Sequence, residues 1–397
     1  MASLSDFADF VKSTAPAWAS SQDAFVNEIQ QNSYPLARFL KGREMSDVFQ
    51  NGERIKDGII LDQPGTFQMI SPETESTWTN AQTLTTWEIP WRFAQAHMAW
   101  TAQEVELNEG SSAAVWKRVK KIKQTGLAND IVHGLNSKLF ARPLASKMES
   151  FTADPGEPQS IPALVNEYDN GLFGHTISTD GSAATPTVSD KYTSTVQGIN
   201  PATKTKWAPV RKTYGSLTPG GATNLLAAFD DIFLDLQFRQ PGTMNEYFEN
   251  ESMFRQVIYT SKNGIVSYKR LLRSENDVQV VPGRQDPAYQ NPTYSGIPLE
   301  RAPQLETEAL YVNDTGSTLY TELSISDPDN LAGARYYWIN ANFMKMAFHS
   351  NYYFKYLDVF SPEKNRTKYI LPIQIWFNLY VTSRRHQGIV APSAVIS

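Results

Sequence analysis

From Ile373 to Thr382 the chain alternates without a break. Ile373, Ile375, Phe377, Leu379 and Val381 fall on one side of a two-residue period, and Gln374, Trp376, Asn378, Tyr380 and Thr382 on the other. Successive strand side chains point to opposite faces, so this spacing predicts one long amphipathic β-strand. It runs without a Pro into Ser383-Arg384-Arg385-His386-Gln387-Gly388, which reads as a tight turn carrying fixed positive charge. This is an architectural feature, and nothing comparable in the chain marks a catalytic centre.

The strand belongs to a chain of 397 residues, enough for a large core and two or three domain-sized units. Hydrophobic residues make up 41% and charged residues 19%, which excludes disorder and a coiled coil. The 18 Tyr, 20 Phe and 9 Trp suit extensive packing or interfaces. No apolar run approaches the ~20 residues that span a bilayer. The opening residues lack the basic and apolar segments of a signal peptide, and Leu4, Phe7, Ala8 and Val11 have helical spacing instead. Zero cysteines removes disulfides, thiolate metal sites and Cys nucleophiles, and fits synthesis in a reducing cytoplasm. A net charge of −5 argues against a dedicated nucleic-acid binder.

Along the chain, residues 1–50 read as an arm, interrupted at Tyr34-Pro35. Residues 51–108 read as an extended β-hairpin. Its outgoing limb is Arg54 to Leu61, and on its return limb Trp87, Ile89, Trp91 and Phe93 share one face. Pro90 marks an edge or a local break. So long a hairpin with a polar tip has too little core of its own and must lie on something else. Residues 111–141 read as one long helix, with stripes Val115, Val119, Ile122 and Ile131, Leu135, Leu139 either side of a slack point at Gly126. Residues 151–222 are loop-rich. A second helix is predicted over Thr223 to Gln240, ended by Pro241-Gly242. A helix around Asn245 to Tyr259 and several strands follow, and 336–382 is strongly β.

Catalytic motifs are missing. The sequence has no P-loop, G-x-G-x-x-G, G-x-S-x-G or H-E-x-x-H. No two of His97, His133, His175, His349 and His386 have metal-pair spacing. Asp230, Asp231 and Asp235 are the most tempting carboxylates, as an acid–base pair or a cation site, but fit a solvated helix face better. Glu104, Glu106 and Glu109 have no partner that makes them specific. Lys117, Arg118, Lys120, Lys121 and Lys123 form the densest charge run, either a contact surface for an acidic partner or a solubilising face. Arg384 and Arg385 can pair with carboxylates across a subunit boundary or lie solvated on their turn. Trp87, Trp91 and Trp100 read as packing residues rather than sugar-stacking platforms.

In this order the blocks resemble the major capsid proteins of tailed bacteriophages with the Hong Kong 97-type fold. The resemblance is carried by Thr86-Trp87-Glu88-Ile89-Pro90-Trp91-Arg92-Phe93, then Glu104 to Gly110 and the basic helix. Gln197-Gly198-Ile199-Asn200-Pro201 and Lys206-Trp207-Ala208-Pro209 follow, then Tyr294-Ser295-Gly296-Ile297-Pro298-Leu299, and finally Trp376 through Gly388. It implies an α+β capsid fold: an N-terminal arm (1–50), an extended loop (51–108), and a peripheral domain (109–222) with its spine helix at 111–141. It further implies an axial domain (223–335) and C-terminal strands returning to the peripheral domain (336–397). There is no room before the extended loop for a large cleaved scaffold segment, so a separate scaffolding protein is expected.

The function so implied is structural, with no catalytic, metal or cofactor site. Copies would assemble in the host bacterial cytoplasm into hexamers and pentamers and close an icosahedral virion shell around double-stranded DNA. They would enclose the DNA without sequence-specific binding, beside a portal protein and in some members a decoration protein. Trp87, Trp91, Lys117, Arg118, Lys121, Arg384 and Arg385 are the candidate inter-subunit residues. An encapsulin-type nanocompartment and a β-rich carbohydrate-active enzyme are the competing readings.

Overall fold

The computed structural model describes residues 34–41, 43, 45–49, 52–61, 83–103, 126–127, 130–141, 143, 145–153, 155–166, 172–173, 192–193, 195–217, 221, 223–236, 256–276, 292–305, 334–362, 364 and 367–392.

The alternating segment is strand β14, Lys368–Val381, preceded in the chain by β1 (Ser46–Phe49), β4 (Arg92–Thr101), β12 (Met344–His349) and β13 (Lys355–Tyr356) of the same five-stranded sheet. β14 is its centre. β4 runs antiparallel along 368–377, while β12 pairs with 377–381 and β13 with 373–374 on the opposite edge. β1 extends the sheet parallel to β12. The predicted apolar face is buried throughout, with Ile373, Ile375, Phe377, Leu379 and Val381 at most 3% exposed. On the other face Gln374 and Trp376 are half-buried, whereas Asn378 and Tyr380 are buried too. One end of β14 is therefore enclosed on both faces, and the Asn378 amide must find partners there.

The second sheet has six strands in the order β7-β15-β11-β8-β10-β9: β7 (Val210–Tyr214), β8 (Gln256–Thr260), β9 (Thr293–Tyr294), β10 (Ile297–Arg301), β11 (Tyr336–Asn340) and β15 (Gly388–Pro392). Its middle strands serve two cores. Tyr337, Ile339, Val257, Tyr259 and Ile389 join the core shared with the five-stranded sheet. Their sequence neighbours Tyr336, Trp338, Ile258 and Val390 join the second core. Strands dry on both faces need no polar alternation, which is why Tyr336 to Asn340 reads as a near-continuous apolar run.

The helices fill the two cores. α1 (Tyr34–Phe39), α2 (130–140), α3 (Ala145–Glu149) and α4 (Ile161–Leu164) lie in the larger one. α5 (Leu225–Leu236) and α6 (Lys262–Asn276) cover the outer face of the six-stranded sheet. Asn224 caps α5, its Oδ1 accepting from Ala227 N at 2.7 Å. α5 presses onto β15 where Gly388 lacks a side chain; a Cβ there would lie 2.7 Å from Ile232 Cδ1.

Several expectations change. Tyr34-Pro35 opens α1 rather than breaking a pattern, since Pro in a first turn forfeits no helical bond. Leu36, Phe39, Leu40 and Met45 are then at most 1% exposed, so the chain from 34 onward is docked in the core rather than an arm. Of the helix expected over Asn245 to Tyr259, residues 256–259 form β8, because a fully buried Gln-Val-Ile-Tyr-Thr suits a central strand; 245–255 lie outside the described residues. The helix in this region is α6, with Ser261 at its start accepting from Gly264 N. The long helix of 111–141 is present over 130–140 with Ile131, Leu135 and Leu139 buried. Its first stripe, Val115, Val119 and Ile122, lies outside the described residues.

Candidate assembly site: the hairpin and its buried root

Strands β2 (Arg54–Ile60) and β3 (Leu84–Pro90) form a two-stranded antiparallel sheet, with Ile55 opposite Ile89, Asp57 opposite Trp87 and Ile60 opposite Leu84. Burial falls along it. At the root Ile55, Trp87 and Ile89 are at most 1% exposed, while at the far end Ile60 is 63% and Leu84 58% exposed. The segment joining the limbs, 62–82, lies outside the described residues. The hairpin ends at Pro90. Trp91 sits between strands, so the face reverses and Phe93, expected beside Trp87, is exposed against Trp376 on β14 (ring centroids 4.8 Å). Residues 92–101 thus belong to the five-stranded sheet instead of the hairpin.

The root is a cluster of buried polar groups. Asn378 Nδ2 donates to Pro90 O at 2.7 Å, and its Oδ1 accepts from Gln159 N at 2.9 Å. Arg92, 4% exposed, donates to the carbonyls of Lys147, Met148, Ser150 and Glu157 at 2.7 to 2.9 Å. It thereby satisfies the carbonyls that end α3, which have no partner within the helix. Gly156 makes room for it; a Cβ there would stand 2.1 Å from Arg92 Nη1. Burial lowers the Arg92 pKa, and Glu149 and Glu157 oppose that shift.

Glu149, half-buried, completes the cluster. Its Oε1 accepts from Gln159 Nε2 at 2.6 Å and from Gln197 N at 3.0 Å. Gln197 Nε2 donates to Gln159 Oε1 at 2.9 Å, and Gln197 O accepts from Glu88 N on β3 at 3.1 Å. Gln197 and Gly198 both have positive φ (54° and 77°), so the 196–199 turn aims its N–H groups inward. Burial pushes the Glu149 carboxyl up to about 7, against the lowering effect of those N–H groups, Arg384 and Arg92.

Trp87 stacks on Tyr380 (5.0 Å between centroids) and Trp91 Nε1 donates to Gly52 O. Both tryptophans, 1% and 6% exposed, pack inside their own chain. Arg384 is interior as well. It is 1% exposed, and its guanidinium donates to Leu164 O (2.6 and 3.2 Å) and Trp207 O (3.2 Å), tying the 3₁₀ turn Arg384–His386 to the end of α4. Arg385 is half-buried and is the member of the pair that reaches the surface. Lys117, Arg118 and Lys121 lie outside the described residues.

Other polar candidates have structural partners. The Tyr294 hydroxyl donates to Asp230, Lys212 pairs with Asp235 at 2.8 Å, and Asp231 is exposed. Trp100 is buried like the other two tryptophans of its segment. His349 and His386 pack against aromatic rings, while His97 and His133 are exposed. Among the described residues no group of three His, Asp or Glu is placed to hold a metal ion, and no helix is long and apolar enough to cross a membrane.

The sequence could not announce the root. Asn378 stands on the predicted polar face, Arg92 among exposed-looking strand residues, and Glu149, Gln159 and Gln197 in a loop-rich stretch. The one available signal was Gln197-Gly198-Ile199-Asn200-Pro201, a compact turn block among otherwise loose segments.

The architecture is α+β: two mixed sheets with helices packed on them and a separate hairpin. No protein-family model matches the sequence, and no curated protein matches it. Solved structures similar to it over most of its length include several from phage particles. The capsid asymmetric unit of cyanophage A-1(L) is 14% identical, with 87% of this chain and 89% of that chain covered and a TM-score of 0.47. Mycobacterium phage Bobi gives 8% identity, 91% and 90% coverage and a TM-score of 0.45. The satellite phage P4 procapsid, which includes the size determination (Sid) protein, gives 10% identity, 96% coverage of each chain and a TM-score of 0.41.

Proposed function

We propose that this chain is the major capsid protein of a tailed phage, with a Hong Kong 97-like fold, and that it works by tiling rather than by turnover. The observation that carries this is the hairpin. It is fixed at its root by buried hydrogen bonds and aromatic packing, yet presents Ile60 and Leu84 opposite each other, more than half exposed, at its far end. A two-stranded hairpin is at best marginal alone in water. An apolar pair so placed is suited to burial on another copy of the chain.

In this reading the chain is not an enzyme. It associates with itself as hexamers and pentamers, forms the virion shell around double-stranded DNA, and is assembled in the host cytoplasm with separate scaffolding and portal proteins. The domain assignment becomes a root and spine domain around the five-stranded sheet and a second domain around the six-stranded sheet. The buried positions of Trp87, Trp91 and Trp100 and the ion pair of Asp235 weigh against a carbohydrate-active enzyme, whose stacking rings and acid pair face a cleft.

The test is expression alone and with a candidate scaffolding protein, followed by electron microscopy. Wild type should form closed shells. Ile60→Ser with Leu84→Ser should give a chain of unchanged thermal stability that forms no shells. Normal particles from this double variant would overturn the role of the hairpin, and a wild-type chain that stays monomeric would overturn the shell.

A further inference from the structure

β4 is an outer strand of the five-stranded sheet, laddered to β14 along one side. Among the described residues nothing pairs with its other edge from 93 to 98. That stretch reads Phe-Ala-Gln-Ala-His-Met, and onward through Thr101 it holds no Lys, Arg, Asp, Glu, Pro or Gly. A strand edge is a row of unpaired N–H and C=O groups and so a template for another strand; charge or Pro is what ordinarily blocks it. Other edge strands of this chain are blocked in that way. β1 carries Asp47, β2 carries Arg54, Lys56 and Asp57, and β7 carries Arg211 and Lys212. The edge of β4 is long, uncharged and open, and Phe93 on it is 66% exposed.

We propose that β4 pairs antiparallel with β4 of a second copy about a two-fold axis through Gln95, joining two five-stranded sheets into one continuous sheet. Strand addition of this kind draws its affinity from the main chain and its register from the side chains. The pairing deepens the self-association proposed above by naming a surface that does not involve the end of the hairpin.

The side chains choose a second β4 over a foreign strand. A two-fold contact is self-complementary, so a strand paired with itself must not set like charges against each other. His97 is the one ionisable side chain in 93–101. In the register centred on Gln95 it meets Phe93 of the second copy, ring against ring on the exposed face, and never another His97. Gln95 meets Gln95. Its amide oxygen already accepts from Gln374 Nε2 at 3.2 Å and keeps a second lone pair, while its own amide N–H groups find no acceptor among the described residues. Reciprocal amide bonds across the axis would carry the Gln374–Gln95 row from one sheet into the next. On the inner face Ala94 meets Ala96, side chains small enough to let the backbones close.

The chain has no cysteine, so a single introduced thiol reports its own contact. Across the axis the two Gln95 Cα atoms would stand about 5 Å apart. Gln374 lies opposite Gln95 on β14, so it would stand three strand spacings from its counterpart, about 14 Å. A disulfide needs about 7 Å or less. In the purified full chain under mild oxidation, Gln95→Cys should therefore run mostly as a covalent dimer and Gln374→Cys as a monomer. Equal dimer from both, or none from Gln95→Cys, overturns the proposal. Gln95→Lys sets two ammonium groups against each other on an exposed edge. It should leave the urea midpoint unchanged and lower the weight-average mass in solution about twofold or more relative to wild type. Equal masses overturn the pairing. Protection of the 93–98 amides from exchange only when a scaffolding protein is added, with no 95–95 link, assigns the edge to that protein and likewise overturns it. Shells that form without the link discard this pairing and leave the shell reading standing, whereas the link without shells does the reverse.

Discussion

Replacing Arg92 by Met keeps most of the side-chain volume and removes the guanidinium from four carbonyls, those of Lys147, Met148, Ser150 and Glu157. A hydrogen bond from a charged donor contributes about 1.5–3 kcal/mol. The four share one guanidinium, so the loss is that of one buried ionic partner, about 3–5 kcal/mol, rather than four times the single value. Urea unfolding of the purified chain should show the lowered midpoint, and hydrogen exchange should show the opening concentrated at 145–160. Gly156→Ala tests the same seat from the other side, because the added Cβ falls 2.1 Å from Arg92 Nη1 and must displace it. Each change disables one contact surface, so the double variant should be little worse than the more severe single one. A change within about 0.5 kcal/mol for Arg92→Met, the range of an ordinary surface substitution, would refute the assignment. Additivity of the two changes would refute it equally.

Trp87→Ala removes a fully buried ring stacked on Tyr380 and should cost about 3–5 kcal/mol, with the hairpin the first segment to lose protection. Gly388→Ala should cost about 1–3 kcal/mol by pushing on Ile232 Cδ1, and Ile232→Val, which deletes that atom, should restore part of the midpoint. For Glu149 the folded pKa of about 7 lies above the ordinary 4.5, so its ionisation opposes folding: the chain is progressively destabilised as pH rises from about 4.5 to about 7, and no further above that. The full effect is about 3 kcal/mol, and Glu149→Gln should abolish this part of the pH dependence in urea midpoints.

The regular parts of the fold could be read from the sequence because their signals are local. β14, α5 and the second stripe of α2 are set by periodicity: in α5 the helical spacing of Leu225, Phe229, Ile232 and Leu236 marks the side that is buried, and in the other two the predicted faces are the buried ones. What depends on the far side of a strand was not readable. Phe93 continues the Trp87-Ile89-Trp91 pattern in sequence, yet a single residue outside both strands turns it to the surface. Arg384 and Arg385 are chemically the same residue. Only the carbonyls of Leu164 and Trp207, 220 and 177 positions away, decide that the first is interior. β8 failed for the opposite reason: a strand buried on both faces has no alternation to betray it, and a short apolar run is ambiguous between strand and helix. The hairpin root combined both difficulties, since the bonds that assemble it join Pro90, Arg92, Glu149, Gln159, Gln197 and Asn378 to groups ten or more positions away.

β15 lies between β7 and β11, parallel to the first and antiparallel to the second. The strand that separates residues 210–214 from 336–340 is thus made after both of them. On a ribosome, β7 can be held at its place in the sheet only once residues 388–392 have emerged. Such non-local pairing slows folding. It also means that a nascent chain with its hairpin complete still lacks a finished second core. In the proposed assembly, the order in which the strands are synthesised would therefore discourage association of the hairpin during translation.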